Sequence, residues 1–171
     1  MKHIFILAIV LLSTFSSCKQ NTNKAKSQSQ IELEINELLN NWHKSASEAN
    51  FDTYFETMDS ISIYIGTAAS ENWTKEEFAK FSKPYFDKGK AWNFIPIERN
   101  IYLSKNGDIA WFDELLNTWM GICRGSGVLE KSNSKWKIKH YVLSVSIPNE
   151  DIKTVVSDKI KTDSIFLKNN Y

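Results

Sequence analysis

Cysteine is almost missing from this chain: Cys18 and Cys123 are the only two in 171 residues. That excludes the disulfide framework that staples many small exported domains. With one cysteine left beyond Cys18 and three scattered histidines, no metal-ligand spacing exists, and neither a metal nor a cofactor is expected. Charge of one sign is also lacking. Twenty-one Lys and Arg against 20 Asp and Glu leave a net charge of +1, so there is no basic stripe of the kind that binds nucleic acid. The scattered lysines read as a solvated surface. Large apolar side chains are plentiful: 42% of residues are hydrophobic, 13% are aromatic and six are Trp. Without its N-terminal segments the chain keeps roughly 140 residues, the size of one domain with its own core.

The N-terminal segments have their own logic. Lys2 and His3 precede an unbroken apolar run, Ile4 to Leu12. A helix that crosses a bilayer needs about 20 residues, so this run suits the apolar region of a signal peptide instead. Ser13-Thr14-Phe15-Ser16-Ser17 then leads into Cys18. Small residues before a cysteine resemble a lipobox, with Phe15 where Leu is usual. The expectation is a bacterial lipoprotein: residues 1–17 are removed, and Cys18 carries lipid and anchors the protein to a cell-envelope membrane, on its periplasmic or outer face. The alternative is plain secretion with cleavage near Ser17. Residues 18–30 contain no apolar side chain larger than Ala beyond the cysteine, and read as a flexible tether.

The folded part alternates between two periodicities. Ile31, Ile35, Leu38, Leu39 and Trp42 follow helical spacing. Asn50 is placed to cap a short second helix through Met58. Ile61, Ile63 and Ile65 alternate as in a strand that ends at Gly66. Thr74 to Glu77 has the form of a capping box, with Trp73 and Phe78 placed to staple over it. That helix is expected to reach about Phe86, with Pro84 in its last turn. Trp92 to Ile147 reads as four long strands, turning at Asn106-Gly107 and at Ser132-Asn133-Ser134. Asn149 opens a last helix with Ile152, Val155, Val156 and Ile160 on one face. One curved antiparallel sheet wrapped on helices is the simplest α+β packing of that order. The domain spans residues 31–149, followed by a C-terminal helix and tail, 150–171.

The turns set the register. A two-residue loop at Asn106-Gly107 pairs Leu103 with Ala110, Ile101 with Phe112, Arg99 with Glu114 and Ile97 with Leu116. A three-residue loop at Ser132 to Ser134 pairs Val128 with Ile138, Ser126 with His140 and Arg124 with Val142. Arg99, Glu114, Arg124, Ser126 and His140 then all point into the concave side. Such a cluster on an apolar face is either a satisfied structural network or a ligand site. Arg99 and Glu114 could neutralise each other. His140 could be a hydrogen-bonded core residue or a ligand contact, and it is the candidate for proton transfer. Two arginines against one glutamate suit a small apolar ligand with an anionic or carbonyl end. Cys123 falls on the outer face, as does the stripe Tyr141, Leu143 and Val145. That stripe is open either to a second copy of the chain or to the last helix.

Several segments resemble the nuclear transport factor 2-like superfamily in its SnoaL-like branch. They are Tyr64-Ile65-Gly66-Thr67 with Glu71 and Trp73, Gly107 to Glu114, Arg124 to Leu129, and Trp136 to Ser144. The resemblance covers roughly residues 31 to 149. It implies a cone-shaped fold, with a pocket between the first helices and the sheet, and often a homodimer. It also implies polar pocket residues at Arg124 and His140. Val142 stands where similar sequences often carry a second His or another polar residue, and the Tyr-plus-two-acids set of ketosteroid isomerase is not matched. The function expected is small-molecule binding by a membrane-tethered domain. The alternatives are an acid–base enzyme (isomerase, dehydratase or cyclase type) on an apolar substrate, in which Arg124 or Arg99 steadies an oxyanion, and a protein-interaction module.

Overall fold

The computed structural model describes residues 26–171. The expected signal peptide, Cys18 and the expected tether up to residue 25 lie outside the described residues. Helix α1, Gln28–Ser47, starts three residues inside the segment expected to be tether. The cause is a capping box: Ser27 Oγ accepts from Gln30 N at 3.3 Å, and Gln30 Oε1 accepts from Ser27 N at 2.9 Å. Its buried stripe is Ile31, Ile35, Leu39, Trp42, His43 and Ala46, the spacing of one helical face. Helix α2, Phe51–Thr57, is capped by Asn50 as expected. Strand β1, Met58–Ile65, follows without a break. A short strand β2, Asn72–Thr74, was not anticipated; it pairs back on β1. Helix α3, Lys75–Asp87, carries the capping box of Thr74 and Glu77. Trp73 and Phe78 stack over it with centroids 5.6 Å apart.

Four long strands complete the sheet: β3 (Ile95–Leu103), β4 (Ile109–Thr118), β5 (Gly121–Ser132) and β6 (Lys135–Val145). The strand order is β2-β1-β6-β5-β4-β3. Every pair is antiparallel except β1 with β6, which is parallel. Helices α1, α2 and α3 pack on one face. A turn of 3₁₀ helix, Asn149–Asp151, leads into α4, Ile152–Asn170. No side chain of α4 is buried; Val155, Thr162 and Phe166 lie along the turn Thr67 to Ser70. Among the described residues no helix is long and apolar enough to cross a membrane.

The β3–β4 register is as expected from Leu103↔Ala110 through Arg99↔Glu114. Beyond it a bulge turns Ile97 outward, where it is 55% exposed, and Pro96 takes the place opposite Leu116. The β5–β6 register differs from expectation at two points. Asn133 and Ser134 alone form the turn, both left-handed at φ 50° and 64°, so Ser132 pairs with Lys135. This is the two-residue hairpin turn whose twist matches the strands, formed here without glycine. One residue fewer in the loop reverses the faces of β5. A second slip between Leu129↔Ile138 and Val128↔His140 leaves Lys139 as an extra residue in β6, and reverses its far half as well.

The inward residues are therefore Cys123, Gly125, Gly127 and Leu129 on β5, with Trp136, Ile138, Tyr141 and Leu143 on β6. Cys123, Tyr141 and Leu143 belong to the core and not to the outer face. Val145, opposite Cys123, shares that inward side and is exposed only because the strand ends there; the outer face carries an exposed stacked pair, Tyr102 and Trp111, with centroids 5.8 Å apart.

Candidate functional site

Glu114 sits inward on β4 at 1% exposure, and such a carboxylate persists only if its charge is answered. Four donors answer it. His43 Nε2 and Tyr141 Oη each lie 2.9 Å from Oε1. Arg99 donates to Oε2 from Nε at 2.9 Å and from a terminal nitrogen at 2.7 Å. The other guanidinium nitrogen binds α1 through Asn36 Oδ1 at 3.1 Å and Asn40 Oδ1 at 2.9 Å. Helical spacing puts Asn36, Asn40 and His43 on the face of α1 that meets the sheet. Directly across from Glu114 is Gly125. A Cβ there would stand 2.3 Å from Tyr141 Oη and 2.9 Å from Glu114 Cγ, so only glycine leaves room for the pair.

Burial alone would push the Glu114 carboxyl up. Hydrogen bonding and charge from His43, then from Arg99, outweigh it and hold the group below its ordinary value of 4.5. Burial and then the Glu114 charge hold the Tyr141 phenol well above its ordinary range. Tyr141 is thus a fixed donor. Every oxygen of the carboxylate is engaged, which suits a structural clamp and leaves no free base.

The sequence expectation placed five polar residues in one cavity. The structure joins two of them, Arg99 and Glu114. Arg124 lies on the outer face, its side chain 55% exposed, with Asp113 at 3.6 Å. Ser126 and His140 are half-buried on that same outer face. The shortened turn moves Arg124 and Ser126 there, and the extra residue in β6 moves His140. The inward partners of the carboxylate are instead His43, which the sequence reading did not single out, and Tyr141, which it placed on the outer face. His43 could have been found, since it follows Ile35 and Leu39 at intervals of four along the buried stripe.

A separate cavity opens where α3, β1 and the turn between β4 and β5 meet. Its volume is about 220 Å³, and eight of its fourteen lining residues are aromatic. Tyr64 stacks on Phe78 at 3.8 Å, Trp73 on Phe81 at 4.6 Å and Phe78 on Trp92 at 5.7 Å. Tyr85 and Trp119 stand at the mouth, 45% and 82% exposed. The buried indole N–H of Trp92 has no acceptor among the described residues. Glu71 is the cavity's single carboxylate, and no Lys, Arg or His lines it. Its Oε2 accepts from Ala68 N at 3.0 Å. Gly66 passes so close that a Cβ would meet that oxygen at 2.2 Å.

The clamp predicts an acid limb in stability. A depressed folded-state value means that the Glu114 contribution is fully present above about pH 4.5 and is lost as pH falls through the lower folded value. Glu114→Gln strands Arg99 in the core and is expected to cost about 3–5 kcal/mol in urea unfolding at neutral pH. Its unfolding midpoint should also fall less steeply than wild type below pH 4.5. Equal midpoints at pH 7 would show that the clamp carries no stability.

The fold recurs in solved structures at low identity. An NTF2-like protein of unknown function from Pseudomonas putida KT2440 is 12% identical with a TM-score of 0.61, covering 73% of this chain and 93% of that one. A candidate dehydratase of the NTF2-like family from Streptomyces avermitilis is 9% identical with a TM-score of 0.62, covering 71% and 100%. The association domain of C. elegans CaMKII is 18% identical with a TM-score of 0.57, covering 68% and 97%. Identities this low speak for the fold alone. None of the curated proteins matches the chain in sequence. The model of the SnoaL-like domain matches residues 35–148, most of the folded part, and the chain belongs to the SnoaL-like family.

Proposed function

We propose that this protein binds a small, largely apolar molecule in the aromatic cavity, from a domain tethered to a membrane by lipid on Cys18. The carrying observation is the cavity itself: stacked aromatic walls, two exposed aromatic residues at the mouth and one carboxylate. Ligand sites concentrate aromatic surface around a few placed polar groups, in volumes of roughly 300–1,000 Å³ for drug-sized ligands. At about 220 Å³, the occupant is one ring or one compact head. Binding without turnover is favoured over acid–base catalysis. Glu114 and His43 are locked to each other, and His140 and Arg124, the expected proton carrier and oxyanion partner, stand on the outer face, away from the aromatic cavity. The tether reading rests on the apolar run from Ile4 to Leu12 and the small residues before Cys18.

A second copy of the chain is a further partner in this reading. The exposed stack of Tyr102 and Trp111, with Ile109 at 42% exposure beside it, forms an apolar patch on the outer sheet face. The helix expected to compete for that face, α4, buries no side chain. A twofold pairing would cover the patch in both copies at once.

Three measurements test these readings. Indole, followed by saturation-transfer NMR, should bind the wild-type domain and fail to bind Ala91→Phe, which fills the cavity. Unchanged binding to the filled variant would place the ligand elsewhere. Cys18→Ala should leave the protein unprocessed or free of the membrane fraction, and a variant that fractionates and matures normally would refute lipidation. In sedimentation at micromolar concentration the domain should run as a dimer and Trp111→Lys as a monomer; a wild-type monomer would rule the pairing out.

A further inference from the structure

We infer that the aromatic cavity takes an organic cation, an ammonium group carrying apolar substituents, with Glu71 as its counter-charge; this rests on the cavity being the binding site. Three observations converge on that ligand class. First, the lining is acidic in sign. Glu71 is the only ionised side chain in the wall, and among the described residues no ion pair neutralises it. Lys90 belongs to the adjoining groove, which shares Trp92 and Trp119 with this one. The arginines that would have favoured an anion are elsewhere: Arg99 is saturated by Glu114 and α1, and Arg124 is on the outer face.

Second, the walls are dense in aromatic rings. Trp73, Phe81 and Tyr85 follow one another with centroid separations of 4.6 and 5.6 Å, and Trp92 and Trp119 also line the space. The negative face of an aromatic ring attracts a cation, most strongly when the site is partly desolvated. Third, hydrogen-bond acceptors are scarce. Besides phenol oxygens, the lining side chains offer only the Thr67 hydroxyl and the Glu71 carboxylate. A guanidinium brings five N–H donors and a primary ammonium three, and burying them unpaired is costly. An ammonium whose hydrogens are replaced by methyl or ring carbons asks for none. It can fill the space by contact with the rings while Glu71 balances its charge. Glu71 is held in place for this, with its carboxylate fixed by Ala68 N at 3.0 Å and lodged against Gly66.

The test compares choline with 3,3-dimethyl-1-butanol, its neutral isostere, as competitors of indole on the wild-type domain. Choline is expected to bind roughly tenfold tighter than the isostere. Glu71→Gln keeps an oxygen for Ala68 N, and should remove most of that preference by weakening choline far more than the isostere. Tyr85→Leu keeps apolar bulk at an exposed position, and should weaken choline more than the isostere; it supplies a reading should Glu71→Gln fail to fold. If the isostere binds as well as choline, the cation inference is wrong and the cavity reading stands. Indole binding with neither competitor displacing it also overturns the inference. A failure of indole, choline and isostere alike overturns both.

Discussion

The Glu114 carboxylate is the constraint that organises the interior. A charge placed at the centre of an aromatic core must be met from several directions, and here the partners come from three separate elements: His43 on α1, Arg99 on β3 and Tyr141 on β6. Each partner fixes the position of the element that carries it. The guanidinium extends the arrangement back to α1 through Asn36 and Asn40, so the first helix is bolted to the far edge of the sheet by polar bonds. Buried networks of this kind are sensitive to the loss of any member, because a stranded charge costs more than the intact pair contributes.

The aromatic core is built around that clamp. Tyr141 lies against Trp42, Tyr64 and Phe112 with centroids 4.8, 5.5 and 6.1 Å away, and Tyr64 passes the contact on to Phe78 in the cavity wall. Gly125 and Gly127 make the space: a side chain at either would collide with Tyr141 or with Phe112 and the His140 carbonyl. The cavity wall is therefore packed directly against the clamp. Charge that is tied down for stability and charge that meets no cation are kept apart, Glu114 in the first position and Glu71, the carboxylate we propose for the ligand, in the second.

How much of this was legible beforehand depended on which local signals were unambiguous. Asn106-Gly107 is a strong hairpin signal, and the strands it joins carry Arg99 opposite Glu114 as expected. Thr74 and Glu77 announced the start of α3 through their spacing alone. Asn133-Ser134 makes its two-residue turn without a glycine, so it did not stand out from a three-residue loop. The extra residue at Lys139 has no sequence signature. Two single-residue errors were enough to move His140, Arg124 and Ser126 to the wrong side, because side-chain direction in a strand reverses at every step. The cavity was invisible for a different reason. Its walls come from Tyr64 to Trp73, α3, the stretch Ala91 to Phe94, the turn at Trp119 and Leu143, and no periodicity connects segments so far apart.

The parallel pairing of β1 with β6 also imposes an order of assembly. Met58 meets Ile138 and Ile65 meets Val142, a closure that spans nearly half of the chain. Loops of that length carry a large entropy cost before any contact repays it, and topologies rich in such contacts fold slowly. The hairpins β3–β4 and β5–β6 can form from neighbouring sequence, but β1 has only the three-residue β2 beside it until β6 exists. A chain emerging N-terminus first therefore leaves one edge of β1 open, with Met58 and Tyr64 lacking their β6 partners, until residues beyond 140 have been made. That interval is when the nascent chain is most open to aggregation or to a chaperone.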